Sequence, residues 1–111
     1  MDFQAARELV LARLAEMETD MNEFGSALPN FQNRKIHHLV IIEHMTQEHE
    51  FGWVFFYETE EHQRTKDHAA SLVGNAPLIV DRLDGCMYVT GTAKPVNFYI
   101  SEYKQGKRVP A

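Results

Sequence analysis

The chain has 111 residues, of which 44% are hydrophobic and 24% are charged, with a formal net charge of -5 and one cysteine. A chain of this length removes about 60 to 70% of its unfolded surface from water, so residues 1–111 can form a single domain without a structural metal. One cysteine excludes an intramolecular disulfide and a cysteine-based zinc cluster. The acidic balance argues against nucleic-acid binding, which needs clustered positive charge.

The sequence contains no recognisable targeting or membrane segment. Its start lacks the basic region and the uninterrupted apolar run of a secretory signal. No apolar stretch is long enough to cross a bilayer. We therefore expect a cytoplasmic location and no membrane partner.

The first predicted element is an amphipathic helix that begins at Phe3. Apolar side chains recur every three or four residues, as on one face of a helix. They are Phe3, Ala6, Val10, Leu14, Met17 and Met21. Asp2 is a candidate N-cap, and the helix is expected to fray before Gly25. The pattern predicts a helix of roughly five turns.

Two strands joined as a hairpin are predicted next. β-branched residues fill segment 36–45 and aromatic residues fill segment 51–57, and both compositions are typical of strands. The polar segment 46–50 between them is short enough for a hairpin connection. Segment 60–74 is polar and poorly periodic, so we expect a long connection with room for one helical turn.

A second hairpin and a short helix complete the predicted domain. Segments 77–82 and 86–90 read as strands, and Asp84-Gly85 between them predicts a tight turn of the primed type. Pro95 suits the first turn of a helix, and Gly106 ends it. The apolar face of this helix carries Val96, Tyr99, Ile100 and Tyr103.

The predicted fold class is α+β. It has an N-terminal amphipathic helix, a four-stranded antiparallel sheet made of two hairpins, and a short C-terminal helix. An antiparallel sheet with helices on one side is the natural layered solution for this order of elements.

The predicted central strands are apolar on both faces, which is more than two helices readily cover. Side chains alternate along a strand, so Trp53, Phe55 and Tyr57 share one face. One interpretation is that both faces are buried, by the long connection or by a second copy of the chain in a homodimer. The other is an exposed patch that binds a protein partner.

The first predicted hairpin is also the most acidic part of the chain. Between Glu43 and Glu61 there are six acids and no Lys or Arg. Such a cluster steers a basic partner, although a solvated rim that keeps the hairpin soluble is the alternative. The predicted partner-binding residues combine these acids with aromatic anchors: Glu48, Glu50, Trp53, Phe55, Tyr57, Glu58 and Glu60. By contrast, Lys104, Lys107 and Arg108 are interpreted as a small solubilising tail.

The sequence shows no pattern typical of catalysis or of cofactor binding. Adjacent strand residues face opposite sides, so His37 and His38 cannot both bind one ion, and there is no HExxH pair. Cys86 has no identifiable histidine partner for nucleophilic catalysis. We therefore expect no enzymatic activity, no metal and no cofactor.

Two short motifs stand before the third predicted strand and before the last helix. They are Gly74-Asn75-Ala76-Pro77 and Gly91-Thr92-Ala93-Lys94-Pro95. Together with Gly52-Trp53, they make the segment from Leu39 to Tyr103 resemble the immunity protein 35 family, also called the YrhB-like family. Members are small α+β proteins found beside polymorphic or contact-dependent bacterial toxins, and they are thought to bind and neutralise the cognate toxin.

The resemblance implies the same role here, without catalytic residues. Structural roles are predicted for the motif residues Gly74, Asn75, Pro77, Gly91, Thr92 and Pro95. Both glycines suit a positive φ, Asn75 can bond its own backbone, and Pro95 starts a helix.

The predicted function is therefore that of an immunity protein active in bacterial competition. The alternative is a small acidic secretion or folding chaperone, because such proteins also expose apolar sheet surface. An immunity protein binds one folded toxin with a defined stoichiometry, whereas a chaperone suppresses the aggregation of unrelated clients.

Overall fold

A computed structural model describes residues 1–26, 38–66 and 75–111, with side chains of the first range described as far as Asp20. The predicted roles of His37 and Gly74 lie outside these residues. The helices are α1 (Phe3–Ser26), α2 (Glu60–Thr65) and α3 (Val96–Lys104). The strands are β1 (Leu39–Ile41), β2 (Gln47–His49), β3 (Gly52–Phe55), β4 (Tyr57–Thr59), β5 (Leu78–Asp81), β6 (Met87–Val89) and β7 (Val109–Pro110). The α+β class is confirmed.

Helix α1 begins and packs as its sequence pattern predicts. The Asp2 Oδ1 atom accepts a hydrogen bond from the backbone N–H of Ala5 at 2.8 Å, which caps the first turn. Ala6, Val10 and Leu14 are at most 1% exposed and face the sheet. Burial of Val10 and Leu14 contributes about 1.5 to 3 kcal/mol each. None of the described helices combines the length and apolar character that a membrane span requires.

The strands form two antiparallel sheets, so the prediction of a single four-stranded sheet is wrong in detail. A five-stranded sheet has the order β2-β3-β5-β6-β7, and β1 pairs with β4 in a separate two-stranded sheet. A short 3-10 helix, Glu43–Met45, separates β1 from β2, and Phe56 separates β3 from β4. The predicted first hairpin is therefore one long hairpin that is interrupted on both sides. Its strands β2 and β3 lie in the five-stranded sheet, and β1 and β4 form the two-stranded sheet.

The tip of this long hairpin lies later in the chain than predicted. Gln47–His49, expected to be part of the connection, forms β2 and pairs with β3 so that His49 lies opposite Gly52. A Cβ atom on Gly52, whose φ is +149°, would lie 2.0 Å from the backbone oxygen of Val80. Only glycine permits this close approach of β3 to β5.

The connection between β5 and β6 is not the tight primed turn that was predicted. Primed turns need a positive φ at their first central residue. Gly85 has a positive φ, at 68°, whereas Asp84 does not. Instead, the Asp81 backbone oxygen accepts from the N–H of Gly85 at 3.0 Å, and its Oδ1 accepts from the N–H of Leu83 at 2.8 Å. Asp81 therefore closes a wider loop.

The helices α1 and α3 cover opposite faces of the five-stranded sheet, and not one side as predicted. Alternate residues of β3 and β5 point to opposite faces. One face packs under α1 and includes Trp53, Phe55, Leu78 and Val80. The other face carries Val54 and Ile79, which pack on Ile100 and Tyr103 of α3. This three-layer packing accounts for the apolar character of both strand faces.

The C-terminal segment is a strand where a basic tail was expected. β7 lies antiparallel to β6 at the edge of the five-stranded sheet. Helix α3 directly follows Pro95, and Gly106 has a φ of 90° just after the helix, as in a common helix stop. Lys107 and Arg108 are therefore fixed between α3 and β7.

Candidate interaction site

The predicted acids separate into two groups at opposite ends of the long hairpin. Glu48 lies in β2 and Glu50 forms part of the tip, whereas Glu58 lies in β4 and Glu60 begins α2. A strand rises about 3.3 Å per residue, so the two ends are up to about 25 Å apart. The acids therefore do not form one compact cluster.

The three aromatic residues predicted for the binding surface lie in the core. Trp53 is 3% exposed, Phe55 is 0% exposed and Tyr57 is 4% exposed. Phe3 of α1 stacks on Phe55 with ring centroids 5.9 Å apart and meets Trp53 edge-on at 6.4 Å. In this fold the three side chains hold the hairpin against α1, and they leave little surface for a partner.

Glu58 is also buried, next to a residue of the first motif. Its Oε1 accepts from the backbone N–H of Thr59 at 2.9 Å, and its Oε2 accepts from Asn75 Nδ2 at 3.4 Å. Asn75 Nδ2 also donates to the backbone oxygen of Tyr57 at 2.9 Å. Asn75 thus connects the segment before β5, which includes Pro77, to β4.

The second motif precedes α3. Gly91 does not have the predicted positive φ; instead, a Cβ atom there would lie 2.6 Å from the Tyr99 hydroxyl oxygen. That oxygen accepts from the backbone N–H of Lys94 at 3.2 Å. Thr92 and Pro95 are exposed. A side chain at position 91 would therefore require the Tyr99 ring to move.

A groove of about 970 Å³ lies beside the hairpin tip. We call it the tip groove. The hairpin contributes Glu48, His49, Glu50 and Phe51. The other lining residues are Arg82 in the loop after β5, Tyr103 and Lys104 in α3, and Arg108 between α3 and β7. Cations distant in the chain therefore balance the acids of the hairpin.

Arg82 connects the two sides of the tip groove. Its Nη2 donates to Glu48 Oε2 at 3.2 Å and to the backbone oxygen of His49 at 2.7 Å. Its guanidinium carbon lies 4.6 Å from the centroid of the Trp53 ring. The Arg82 Nε is buried without a hydrogen-bond partner in the described part of the chain. An exposed ion pair contributes only about 0 to 1 kcal/mol, so Arg82 serves mainly to position the tip.

A buried carboxylate beneath the groove anchors α3 and the residues that follow it. Asp81 is 3% exposed, its Oδ2 accepts a hydrogen bond from the Tyr103 hydroxyl, and Arg108 Nη1 lies 3.7 Å away. Burial opposes ionisation of Asp81, but the bonds from Tyr103 and two backbone amides, with the charge of Arg108, outweigh it and lower its pKa. Burial and the bond to Asp81 raise the pKa of Tyr103.

His49 and Phe51 supply the aromatic part of the tip groove. Their rings stack with centroids 4.9 Å apart, and Phe51 also meets the Tyr103 ring at 4.9 Å. Burial, and then the charge of Lys104, lower the pKa of His49. The imidazole is therefore mostly neutral at neutral pH. Glu48 and Glu50 on either side of it are exposed.

The sequence-based prediction missed Phe51, Arg82, Tyr103, Lys104 and Arg108 as neighbours of Glu48 and Glu50. One sequence signal could have drawn attention to Arg82, which is the only Lys or Arg between Asp67 and Ala93. Across the described ranges, no three His, Cys, Asp or Glu side chains come together as a metal-ligand set. The groove offers charged and aromatic groups suited to recognition of a protein surface.

The comparisons with known proteins agree on one family. The family model for immunity protein 35 matches residues 25–106, which include every element from β1 to α3. The Escherichia coli (strain K12) protein named "Uncharacterized protein YrhB" is 45% identical over 53 residues, which is 48% of this chain and 56% of that protein. The chain thus spans little more than half the length of this relative. No solved structure matches the chain. The chain belongs to the immunity protein 35 family.

Proposed function

We propose that the protein binds a cognate toxin and neutralises it without catalysis. Membership of the immunity protein 35 family supports an immunity function in general terms. The observation that carries the more specific proposal is the tip groove, where Glu48 and Glu50 stand beside the half-buried, stacked rings of His49 and Phe51. Aromatic groups surrounded by charged ones are typical of protein-binding sites with a few dominant contacts.

The tip is held in position without a partner, which favours tight binding. Arg82 bonds to both Glu48 and the backbone of His49, and Asp81 bonds to the Tyr103 hydroxyl on the other wall. A surface that is already ordered loses little conformational entropy on association. The proposal therefore assigns the toxin contact to the tip of the hairpin.

The remaining predicted site residues take other roles in this proposal. Trp53, Phe55 and Tyr57, which are buried under α1, support the hairpin from below. Buried Glu58 supports it from within β4. Exposed Glu60 lies at the opposite end and contributes only if the toxin covers the whole hairpin.

The carboxylates on the hairpin side of the tip groove can pair with cationic residues of the toxin. Glu50 is exposed, and the Glu48 side chain keeps 69% of its surface exposed even while paired with Arg82. A cationic toxin residue can therefore reach both carboxylates. Complementary charge of this kind raises the association rate and suppresses wrong partners.

A growth assay tests the proposal. Bacteria co-express the toxin encoded beside this gene with the wild-type protein or with the double variant Glu48→Lys and Glu50→Lys. The matched control is Glu8→Lys with Glu16→Lys, which makes the same charge change on exposed residues of α1. We expect the control to protect the cells and the tip variant to fail.

Two outcomes of the growth assay would contradict the proposal. Full protection by the tip variant would show that toxin binding does not depend on Glu48 and Glu50 in the tip groove. Failure of both variants would show that net charge, rather than position, decides the result. Suppression of aggregation of unrelated proteins, without protection against the toxin, would instead support the chaperone alternative.

A further inference from the structure

A second cavity, of about 440 Å³, opens between α3 and the strands β6 and β7. We call it the α3 cleft. Its walls are largely apolar and include Ile79, Val89, Phe98, Tyr99 and Val109. Two of these side chains are well exposed, Phe98 at 42% and Val109 at 59%. The cleft therefore presents apolar surface to the solvent.

Positive charge surrounds the α3 cleft, although the whole chain is acidic. Lys107 and Arg108 line it, and Lys94 Nζ lies 5.4 Å from the centroid of the Phe98 ring. Glu102 is the one carboxylate among the described lining residues, and it pairs with Lys107 at 3.0 Å. Within the described residues, Lys94 has no carboxylate partner. The rim therefore has an excess of cations.

Contacts within the fold hold both walls of the α3 cleft in place. On one side, the Arg108 guanidinium stacks over the Tyr103 ring at 4.2 Å and lies 3.7 Å from buried Asp81. On the other side, the hydroxyl of Tyr99 accepts from the backbone N–H of Lys94 at 3.2 Å. A preformed, mostly apolar cavity with a few fixed polar groups is the usual form of a ligand site.

We propose that the α3 cleft is a docking site for an acidic segment of a protein partner, which inserts one large apolar side chain between Phe98 and Val109. The apolar walls fit that side chain, and the cations Lys94, Lys107 and Arg108 fit carboxylates on either side of it. The α3 cleft shares Tyr103 and Arg108 with the tip groove, whose proposed occupant is basic, but its rim adds Lys94 and Lys107 where the tip groove has Glu48 and Glu50. It does not depend on the toxin proposal.

Peptide titrations followed by NMR of the isotope-labelled full chain test this inference. Three peptides of equal length are compared: an acidic peptide with a central tryptophan, the same peptide with alanine in its place, and a basic peptide with the tryptophan. We expect saturable shifts of the amides of Val89, Thr90, Phe98 and Val109 with the first peptide. The other two peptides should bind at least about tenfold more weakly, because each lacks one of the two complementary features.

A pair of charge-reversal variants locates the contact. Lys94→Glu changes a cation at the rim of the α3 cleft, and Arg64→Glu makes the same charge change on an exposed residue of α2 that lines neither the α3 cleft nor the tip groove. We expect Lys94→Glu to weaken binding of the acidic tryptophan peptide about fivefold, the scale of one partly exposed ion pair, and Arg64→Glu to change it less than about twofold.

Three results would overturn the inference. Equal binding of the basic peptide would exclude charge complementarity. Equal binding of the alanine peptide would mean that any polyanion, including a nucleic acid, satisfies the cations. Absence of shifts at these amides at millimolar concentrations of the acidic tryptophan peptide would show that the cleft accepts no such segment.

Discussion

The hydrogen bond from the Tyr103 hydroxyl to the Asp81 carboxylate joins α3 to β5. Tyr103 is 2% exposed and Asp81 is 3% exposed, so water does not readily replace this bond. A hydrogen bond to a charged group contributes about 1.5 to 3 kcal/mol. Tyr103→Phe removes the hydroxyl and keeps the ring, which packs against Phe51 and Tyr88. We expect this variant to lower the free energy of unfolding by about 2 kcal/mol.

Replacement of Asp81 with Asn tests the charge of the same group. The new amide oxygen can still accept from the backbone N–H groups of Leu83 and Asp84, but its NH₂ group faces the Tyr103 hydroxyl. Hydrogen bonds to an ionised acceptor are roughly twice as strong as neutral ones. We expect Asp81→Asn to cost about 3 kcal/mol, and the two variants to show a coupling energy of about 1 to 2 kcal/mol in a double-mutant cycle.

The effect of Asp81→Asn depends on pH in a defined direction. The pKa of Asp81 is lowered in the folded protein, so its ionised form stabilises the fold. That contribution is complete above the unfolded pKa of about 3.9 and is lost as the pH falls through the lower folded pKa. The difference in the free energy of unfolding between the wild type and Asp81→Asn should therefore stay constant above about pH 5 and become smaller below about pH 4.

Urea unfolding followed by the fluorescence of Trp53, the single tryptophan, measures these free energies. The wild type, both single variants and the double variant are compared at about pH 7 and about pH 3. Additive single-variant effects would refute direct coupling between Asp81 and Tyr103. An equal cost of Asp81→Asn at both pH values would refute the assignment to an ionised carboxylate.

Two further predictions concern the motif residues. Gly52→Ala places a Cβ atom 2.0 Å from the backbone oxygen of Val80, so we expect a loss above about 3 kcal/mol or no soluble protein; a near-wild-type melting temperature would contradict the pairing of β3 with β5. Asn75→Ala removes the donor to the buried Tyr57 oxygen and should cost about 1 to 2 kcal/mol. Asn75→Asp should cost more because it adds a carboxylate beside Glu58, and a smaller loss in urea unfolding would argue against this contact.

The helices could be predicted well because their signals are local. The apolar spacing through Ala6, Val10 and Leu14 matches the buried face of α1, and the same spacing identified the buried residues Ile100 and Tyr103 of α3. One helix face in contact with the core is enough to produce such a pattern. No knowledge of the partner strands was needed.

The strands were harder to predict from the sequence, because whether a segment forms a strand depends on the segment with which it pairs. β2 consists of Gln47, Glu48 and His49, and these polar residues resemble a loop; an edge strand tolerates them because only one side pairs. β7 has two residues, one of them a proline, and exists through its pairing with β6. Neither strand has an alternating pattern that the sequence alone would reveal.

The composition of the tip groove could not be read from a local segment. Arg82 is 34 positions from Glu48, and Arg7, which pairs with Glu43, is 36 positions from it. The interval from Glu43 to Glu61 contains no cation, yet the fold supplies two cations to its carboxylates. Burial of Trp53 likewise depends on α1 lying across that face of the sheet.

Calorimetric titration of the purified toxin with the purified protein tests the central claim, that the tip groove binds a cognate toxin. It compares the wild type, the double variant Glu48→Lys with Glu50→Lys, and the control Glu8→Lys with Glu16→Lys at low salt. We predict a defined stoichiometry for the wild type, binding at least about tenfold weaker for the tip variant, and a change below about twofold for the control. Absence of a complex, or equal weakening by both variants, would contradict the account.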